Sequence, residues 1–286
     1  MRILTKIKAQ MVNLNRYSRI LTKVFGAPWD ITPGGHDSVQ KVLERGMGLQ
    51  DREPGTGVCG DAVDVAQPVV IGDVAVIPVN GVLANGIGAA ERGAGVVDYF
   101  DIAREVQEFD ADPAISKIIL DIDSPGGTHE GSIEAARAIS RATTPITAIT
   151  SGLMASAAYE IAAAASRILA TPTATVGSIG SMIGFLDQSR AFSAAGFKVE
   201  MIVSGPNKGA GMPGTSLSPV QRKQFQDLVD AAAGQFKAHV MLHRPQVSES
   251  AMDGAIFTSA KALELGLLDG IVESKSEVIP ATPAVG

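Results

Sequence analysis

Apolar positions along this chain alternate between two periods. From Val74 the order Val-Ala-Val-Ile-Pro-Val predicts a strand that stops at the turn dipeptide Asn80-Gly81. Gly86 to Gly95 is glycine-rich and predicts a mobile stretch. Tyr99, Ile102, Val106 and Phe109 recur at helical spacing, predicting a helix from Asp98 to Phe109 that ends before Pro113. Ile115 to Ile122 is a largely apolar run of the kind buried on both faces of a parallel sheet. The alternation continues with a helix over Glu130 to Ala142, a strand over Ile146 to Thr150, a helix over Met154 to Ala165 and a strand over Arg167 to Ala170. A helix over Ser189 to Ala195 and a strand over Lys198 to Val203 follow. Pro219 to His243 is the longest predicted helix, with Val220, Phe225, Leu228, Ala232, Phe236 and Val240 on one face. A short helix from Phe257, capped by Ser259 and ended by Gly266, leads to a last strand over Leu267 to Val272. Strands alternating with helices place the chain in the α/β class, with a parallel or mixed sheet and flanking helices.

The pattern divides the chain into three parts: an accessory region over residues 1–66, a body over 67–273, and a Pro- and Ala-rich tail over 274–286 that is expected to be disordered. In the first, Ser38 to Gly46 alone looks helical. Lys6, Lys8, Arg16, Arg19 and Lys23 precede any acidic residue, which makes a local basic arm. Its plain reading is a solvated helix folded on the body; the sharper one is docking to an acidic partner or an assembly surface.

Composition narrows the function classes. With 19% charged and 45% hydrophobic residues, the 286-residue chain is a globular protein, and a net charge of −6 gives no footprint for nucleic acid. The single cysteine, Cys59, excludes an intrachain disulfide and reads as a free structural thiol in a reducing compartment. No apolar run is long enough for a membrane span, and the lysines and arginines near the start interrupt any secretory signal, so a cytoplasmic location is expected.

The candidate chemistry centres on a serine and a lysine. Ser156 stands between a predicted strand and a helix amid Ala155, Ala157 and Ala158, a setting that presents a nucleophile and places the next amide beside it. Asp123-Ser124-Pro125-Gly126-Gly127 ends a buried strand, where bare amides suit a developing oxyanion. Each has a plainer reading: a capping serine in a small-residue helix, and a tight turn. Between Ser156 and the long helix the lysines are Lys198, which begins a strand, and Lys208, in the loop Ser-Gly-Pro-Asn-Lys-Gly-Ala-Gly. A lysine can serve as base when desolvation brings its pKa down from about 10.4. His129 is the one histidine able to come near, and it reads as an exposed residue at a helix start. His239 and His243 have a metal-binding spacing, yet neither a glutamate between them nor a third ligand is evident, so no metal and no cofactor are expected. Gly177-Ser178-Ile179-Gly180-Ser181 lacks the Lys-Ser/Thr ending of a phosphate loop and reads as backbone shaping a cleft.

Four ordered motifs together resemble the signal peptide peptidase A family of serine peptidases, and within it the phage head maturation (capsid assembly) branch. They are Asp-Ser-Pro-Gly-Gly, Ala-Ser-Ala-Ala-Tyr, Ala-Thr-Pro-Thr-Ala-Thr-Val-Gly-Ser-Ile-Gly and Ser-Gly-x-x-Lys-Gly-Ala-Gly. The resemblance covers about Val74 to Val272, and Ala27-Pro28-Trp29 also fits the phage members. It implies a Clp/crotonase-like spiral of ββα units, Ser156 as nucleophile, Lys208 as general base of a Ser-Lys dyad, and the amides of Gly127 and Ala157 as oxyanion donors. It further implies a homo-oligomer, with Lys208 serving its own or a neighbouring Ser156. The implied substrates are proteins or peptides, among them phage scaffold, portal or capsid proteins, met in the bacterial host cytoplasm or the prohead; a host-type soluble peptidase is the alternative. Ala157-Ala158 departs from the Ser-Gly or Gly-Gly of many relatives, so side-chain specificity does not transfer. Two other classes remain open: a non-catalytic assembly protein, and a crotonase-like acyl-CoA enzyme with Glu130 or Glu160 as its carboxylate.

Overall fold

The computed structural model describes residues 27–36, 39 and 66–281. The basic arm, Cys59 and the helix expected over 38–46, save Val39, lie outside the described residues. Strand β1 (Trp29–Ile31) comes first, and the body opens with the hairpin β2 (Val69–Ile71) and β3 (Val74–Asn80). One build then recurs: a strand, a shorter strand, a helix. After β3 come β4 (Leu83–Ala84), the single turn α1 (Ala89–Arg92), β5 (Val97–Asp98) and α2 (Tyr99–Asp110). The second unit is β6 (Lys117–Asp123), β7 (Gly126–Thr128) and α3 (Ser132–Arg141); the third is β8 (Ile146–Thr150), β9 (Leu153–Ala155) and α4 (Ala157–Ala163). A fourth starts with β10 (Arg167–Ala170) and β11 (Thr175–Gly177) and extends into an arm that holds α5 (Ser189–Ala194). It returns through α6 (Pro219–His243), β12 (Ile256–Thr258), α7 (Ser259–Glu264) and β13 (Gly270–Ile271). This is the expected α/β spiral of ββα units.

The first strands of the units form one sheet in the order β13-β10-β8-β6-β3-β2, parallel except for its antiparallel edge strand β2. The short strands make two smaller sheets, β1-β7-β4-β5 and β12-β11-β9. A single bridge between Ser124 and Met154 joins their borders. The apolar run of β6 is explained by burial on both faces: Ile118, Leu120 and Ile122 face the helices, and Ile119 faces the other side with Val76, Ile149 and Leu169.

The expectation of a mobile stretch at Gly86 to Gly95 is corrected. Asp98, buried at the N-cap of α2, accepts from the amides of Gly86 and Ile87 and pairs with Arg92 at 2.9 Å, which ties the loop down. The strand expected over Lys198 to Val203 does not form: the segment has no ladder partner, and Ile202 and Val203 are exposed. The helix expected from Met154 begins at Ala157, because Met154 and Ala155 belong to β9. Thr258, not Ser259, is the N-cap of α7; the Ser259 hydroxyl instead donates to the carbonyls of Thr171 and Ala174. Residues 274–279 of the tail lie on the outer face of the main sheet, with Val278 and Ile279 against its apolar cluster and Lys275 paired to Asp121. Apolar side chains there seal a face that would otherwise be wet.

Helix α6 matches its expected limits, begins with a capping box between Ser218 and Gln221, and, Gln221 apart, is buried only toward its C-terminal end. Ala232, Phe236 and Val240 are covered, whereas Val220 and Leu228 on the same stripe are 54% and 40% exposed. Truncating Phe236 to Ala should therefore destabilise the chain by about 3–5 kcal/mol in denaturant unfolding. Leu228→Ala, measured on the dilute monomer, should change stability by less than about 0.5 kcal/mol.

Candidate active site

Ser156 sits at the joint between β9 and α4, its backbone at φ 56° and ψ −125°. Among the described non-glycine residues, Ser178 alone shares a positive φ. A serine held there is strained, and such strain persists only where the surroundings enforce it. The enforcement is visible: the Ser156 amide donates to the Gly177 carbonyl at 2.7 Å, and its own carbonyl accepts from the Glu160 amide at 2.9 Å. Among the described residues the hydroxyl reaches only the Gly180 carbonyl, at 3.4 Å, so it is loosely held. The segment Gly177 to Ser181, expected to shape a cleft, supplies the backbone carbonyls of Gly177 and Gly180 that hold Ser156.

The glycine strand lies directly beside this serine. Gly126 has φ 99°, and a Cβ there would stand 2.9 Å from the Ser156 Cβ and 3.0 Å from the Ala155 carbonyl. A Cβ on Gly127 would stand 2.7 Å from Leu83 Cα. Only glycine permits β7 to pack so closely against two backbones. Ala157, whose amide was expected as the second oxyanion donor, is the first residue of α4 and is fully buried. Lys208 is in a different setting. It lies exposed in the arm, where its amide closes a turn to the Gly205 carbonyl at 3.1 Å, and its ammonium makes no hydrogen bond or ion pair among the described residues. Within one chain the structure brings Ser156 and the glycine strand together but makes no contact between Ser156 and Lys208.

What sequence reasoning missed is Asp30 and its gathering with His129 and Glu160 into a buried charged cluster one helical turn beyond Ser156. Asp30, on β1, is fully buried; one carboxylate oxygen lies 2.7 Å from His129 Nδ1 and the other accepts from the Ser181 hydroxyl. His129 Nε2 lies 3.1 Å from Gln235 Oε1 on α6. The expectation of an exposed His129 is thereby corrected: it is 17% exposed and ion-paired. Burial by itself lowers its pKa, but the hydrogen bond and charge of Asp30 outweigh that and raise it to about 9. Glu160 is fully buried, and neither of its oxygens accepts a hydrogen bond of normal geometry, the nearby Ser132 hydroxyl being committed to the His129 carbonyl at 2.8 Å. Burial, reinforced by the charge of Asp30, pushes Glu160 up to about 8, so it is mostly neutral near pH 7.

Asp30, His129 and Glu160 could together offer three ligand atoms to a metal, and they are the one such group among the described residues. Both imidazole nitrogens are already engaged, by Asp30 and Gln235, which accounts for the cluster as a charge pair. His239 and His243 stack with ring centroids 4.5 Å apart and are joined by no third ligand. Glu160, enclosed on every side, is poorly placed to act on a bound acyl group, which leaves Glu130, exposed at the surface, as the carboxylate of the acyl-CoA alternative.

A family model described as Peptidase family S49 matches residues 138–281. The chain is 31% identical over 213 residues to capsid assembly protease C of Escherichia phage lambda, across 73% of this chain and 48% of that protein. It is also 31% identical over 214 residues to head-tail preconnector protein GP5 of Enterobacteria phage P21, across 73% and 42%. Its identity to Protease 4 of Salmonella typhi is 27% over 216 residues, across 73% and 34%. The chain therefore spans about half the length, or less, of these curated relatives. Among solved structures, an enoyl-CoA hydratase/isomerase family member superposes with TM-score 0.39 at 17% identity, across 73% of this chain and 70% of that one.

The cluster carries a pH signature. A His129 raised from 6.5 to about 9 contributes stability that is complete below pH 6.5 and lost as pH climbs through 9. A Glu160 raised from 4.5 to about 8 keeps its proton in the fold while the unfolded chain releases it, so stability also declines between those values. Unfolding free energy measured by denaturant titration should fall with rising pH across this window. Glu160→Gln should flatten the lower part of the decline and leave the upper part, which belongs to His129.

Proposed function

The chain belongs to peptidase family S49, and from that premise we propose that it is a serine endopeptidase working through a Ser-Lys dyad. The observation that carries this reading is Ser156, held at positive φ at a strand-to-helix joint against a strand that admits only glycine. In the proposed reaction Ser156 Oγ attacks a peptide carbonyl, and the amides of Gly127 and Ala157 hold the oxyanion. Lys208 takes the hydroxyl proton and returns it to the leaving amine; water then hydrolyses the acyl-enzyme.

Lys208 requires a partner surface for this role, since a lysine is a base only where water is excluded. The arm that bears it also exposes Phe197, Ile202 and Met212, apolar surface of the kind that marks an interface. A second copy docked on this arm would cover Lys208, and in a ring of copies the lysine would serve a neighbour's Ser156. Among the described residues no helix is long and apolar enough to cross a membrane. The two phage relatives bear names from head assembly, which favours phage scaffold, portal or capsid proteins as substrates, cut in the host cytoplasm or the prohead.

Incubation with a fluorophosphonate or peptide boronate, followed by adduct mapping, tests the nucleophile: the adduct should fall on Ser156 and vanish in Ser156→Ala. Lys208→Arg should lose at least about 100-fold in peptidase activity, because a guanidinium stays protonated; full activity in that variant removes Lys208 from the mechanism. Mixing inactive Ser156→Ala and Lys208→Ala chains should restore activity if the dyad forms between copies, and should restore none if each chain supplies both.

A further inference from the structure

Strand β1 lies against the glycine strand in the place an extended peptide would take. It pairs antiparallel with β7, setting Trp29 opposite Thr128, Asp30 opposite Gly127 and Ile31 opposite Gly126. The His129 amide donates to the Pro28 carbonyl at 3.2 Å, and the Thr32 amide to the Pro125 carbonyl at 2.9 Å. Hydrogen-bonded pairs alternate in an antiparallel ladder, so Asp30 and Gly127 are the exchanging pair between those two. The Gly127 amide, the oxyanion donor of the proposed reaction, is thus turned toward the Asp30 carbonyl. A Cβ built on Gly126 would collide with that carbonyl oxygen and also crowd the Ser156 Cβ, so the carbonyl and the serine flank the same small space. On its other edge β1 is held by Trp29 and Met182, which exchange both backbone bonds at 2.9 Å.

The Asp30 side chain enters a pocket built by the rest of the chain. His129 engages one carboxylate oxygen and the Ser181 hydroxyl donates to the other, while no atom of Asp30 is exposed to water. Two backbone edges, a carbonyl at the nucleophile and a charge-complementary side-chain pocket are what a peptidase groove offers its substrate.

We infer that residues 28–31 occupy the substrate groove as a built-in, substrate-like strand, and that His129 and Ser181 select a carboxylate on the residue whose carbonyl faces Ser156. The inference deepens the peptidase reading and rests on it for the identity of the groove. An incoming peptide has to displace the strand. Trp29 and Ile31, packed with Ala84, Ile87 and Val96 in a cluster separate from the main core, oppose that displacement together with the Asp30 pair.

The test uses the full chain carrying Ser156→Ala, so that binding is read without cutting, and a fluorescein-labelled peptide of residues 27–33, Ala-Pro-Trp-Asp-Ile-Thr-Pro. Adding Asp30→Asn to the chain weakens its own strand, and affinity for the peptide should rise about ten-fold, the scale of one charge-assisted pair. A peptide with lysine in place of its aspartate should bind about ten-fold or more weakly, and His129→Ala in the chain should erase that preference. Saturating peptide should also speed amide exchange at Trp29 to Ile31. Equal binding of the two peptides, binding that leaves those amides protected, or no binding to either chain overturns the inference. Should Asp30→Asn prove misfolded by its melting curve, the two-peptide comparison and the exchange on the chain with Asp30 intact decide alone. Failure of reagent to label native Ser156 would sink the peptidase reading by a separate route, leaving the binding result to stand on its own.

Discussion

The architecture around Ser156 depends on one steric constraint: at Gly126 and Gly127 three backbones meet with no room for a Cβ. Leu83 presses on β7 from one side, Asp30 from the other, and the Ser156 Cβ from below. Because β7 is bare, it pairs in parallel with β4 and antiparallel with β1 at once, and still stands within contact of the β9–α4 joint. A side chain at either position would push the strand away from the serine. The strain at Ser156 has the same origin, since the Gly177 carbonyl on one flank and the first turn of α4 on the other leave its backbone no ordinary conformation.

The long elements were legible because their side chains have a period. The buried run over β6 and the stripe that ends in Phe236 and Val240 each report a packing surface that spans several residues. The short strands β4, β7, β9 and β11 were not legible, being two or three residues long and rich in glycine or alanine, without a period to detect. That is why Met154 and Ala155 read as helix: small apolar residues suit either state, and the ladder to β11 decides it. Lys198 to Val203 failed in the opposite sense, having strand-like residues but no neighbouring strand. Ser156 and the glycine strand stood out in the sequence because a serine between strand and helix and a Pro-Gly-Gly turn are local signals. The pairing of Asp30 with His129 could not, as 99 residues separate them and each taken alone is an ordinary polar residue.

Charge at the site is arranged economically. Two carboxylates and one imidazole share a largely buried space in which Glu160 retains its proton near pH 7. Asp30 and His129 then satisfy each other, with Ser181 and Gln235 taking up the remaining polar atoms. A second ionised carboxylate beside Asp30 would be both desolvated and repelled, which is why Glu160 keeps its proton, whereas His129 is raised by its attraction to Asp30.

The apolar cover over the outer face of the main sheet comes in part from Val272, Val278 and Ile279, close to the last described residues. Translation delivers those residues after every strand they shelter. A nascent chain that has already produced β3, β6, β8 and β10 still exposes Val76, Ile119, Ile149 and Leu169 on that face, and it stays sticky until these covering residues arrive. The order of synthesis therefore leaves that face of the sheet open until Val272, Val278 and Ile279 have emerged.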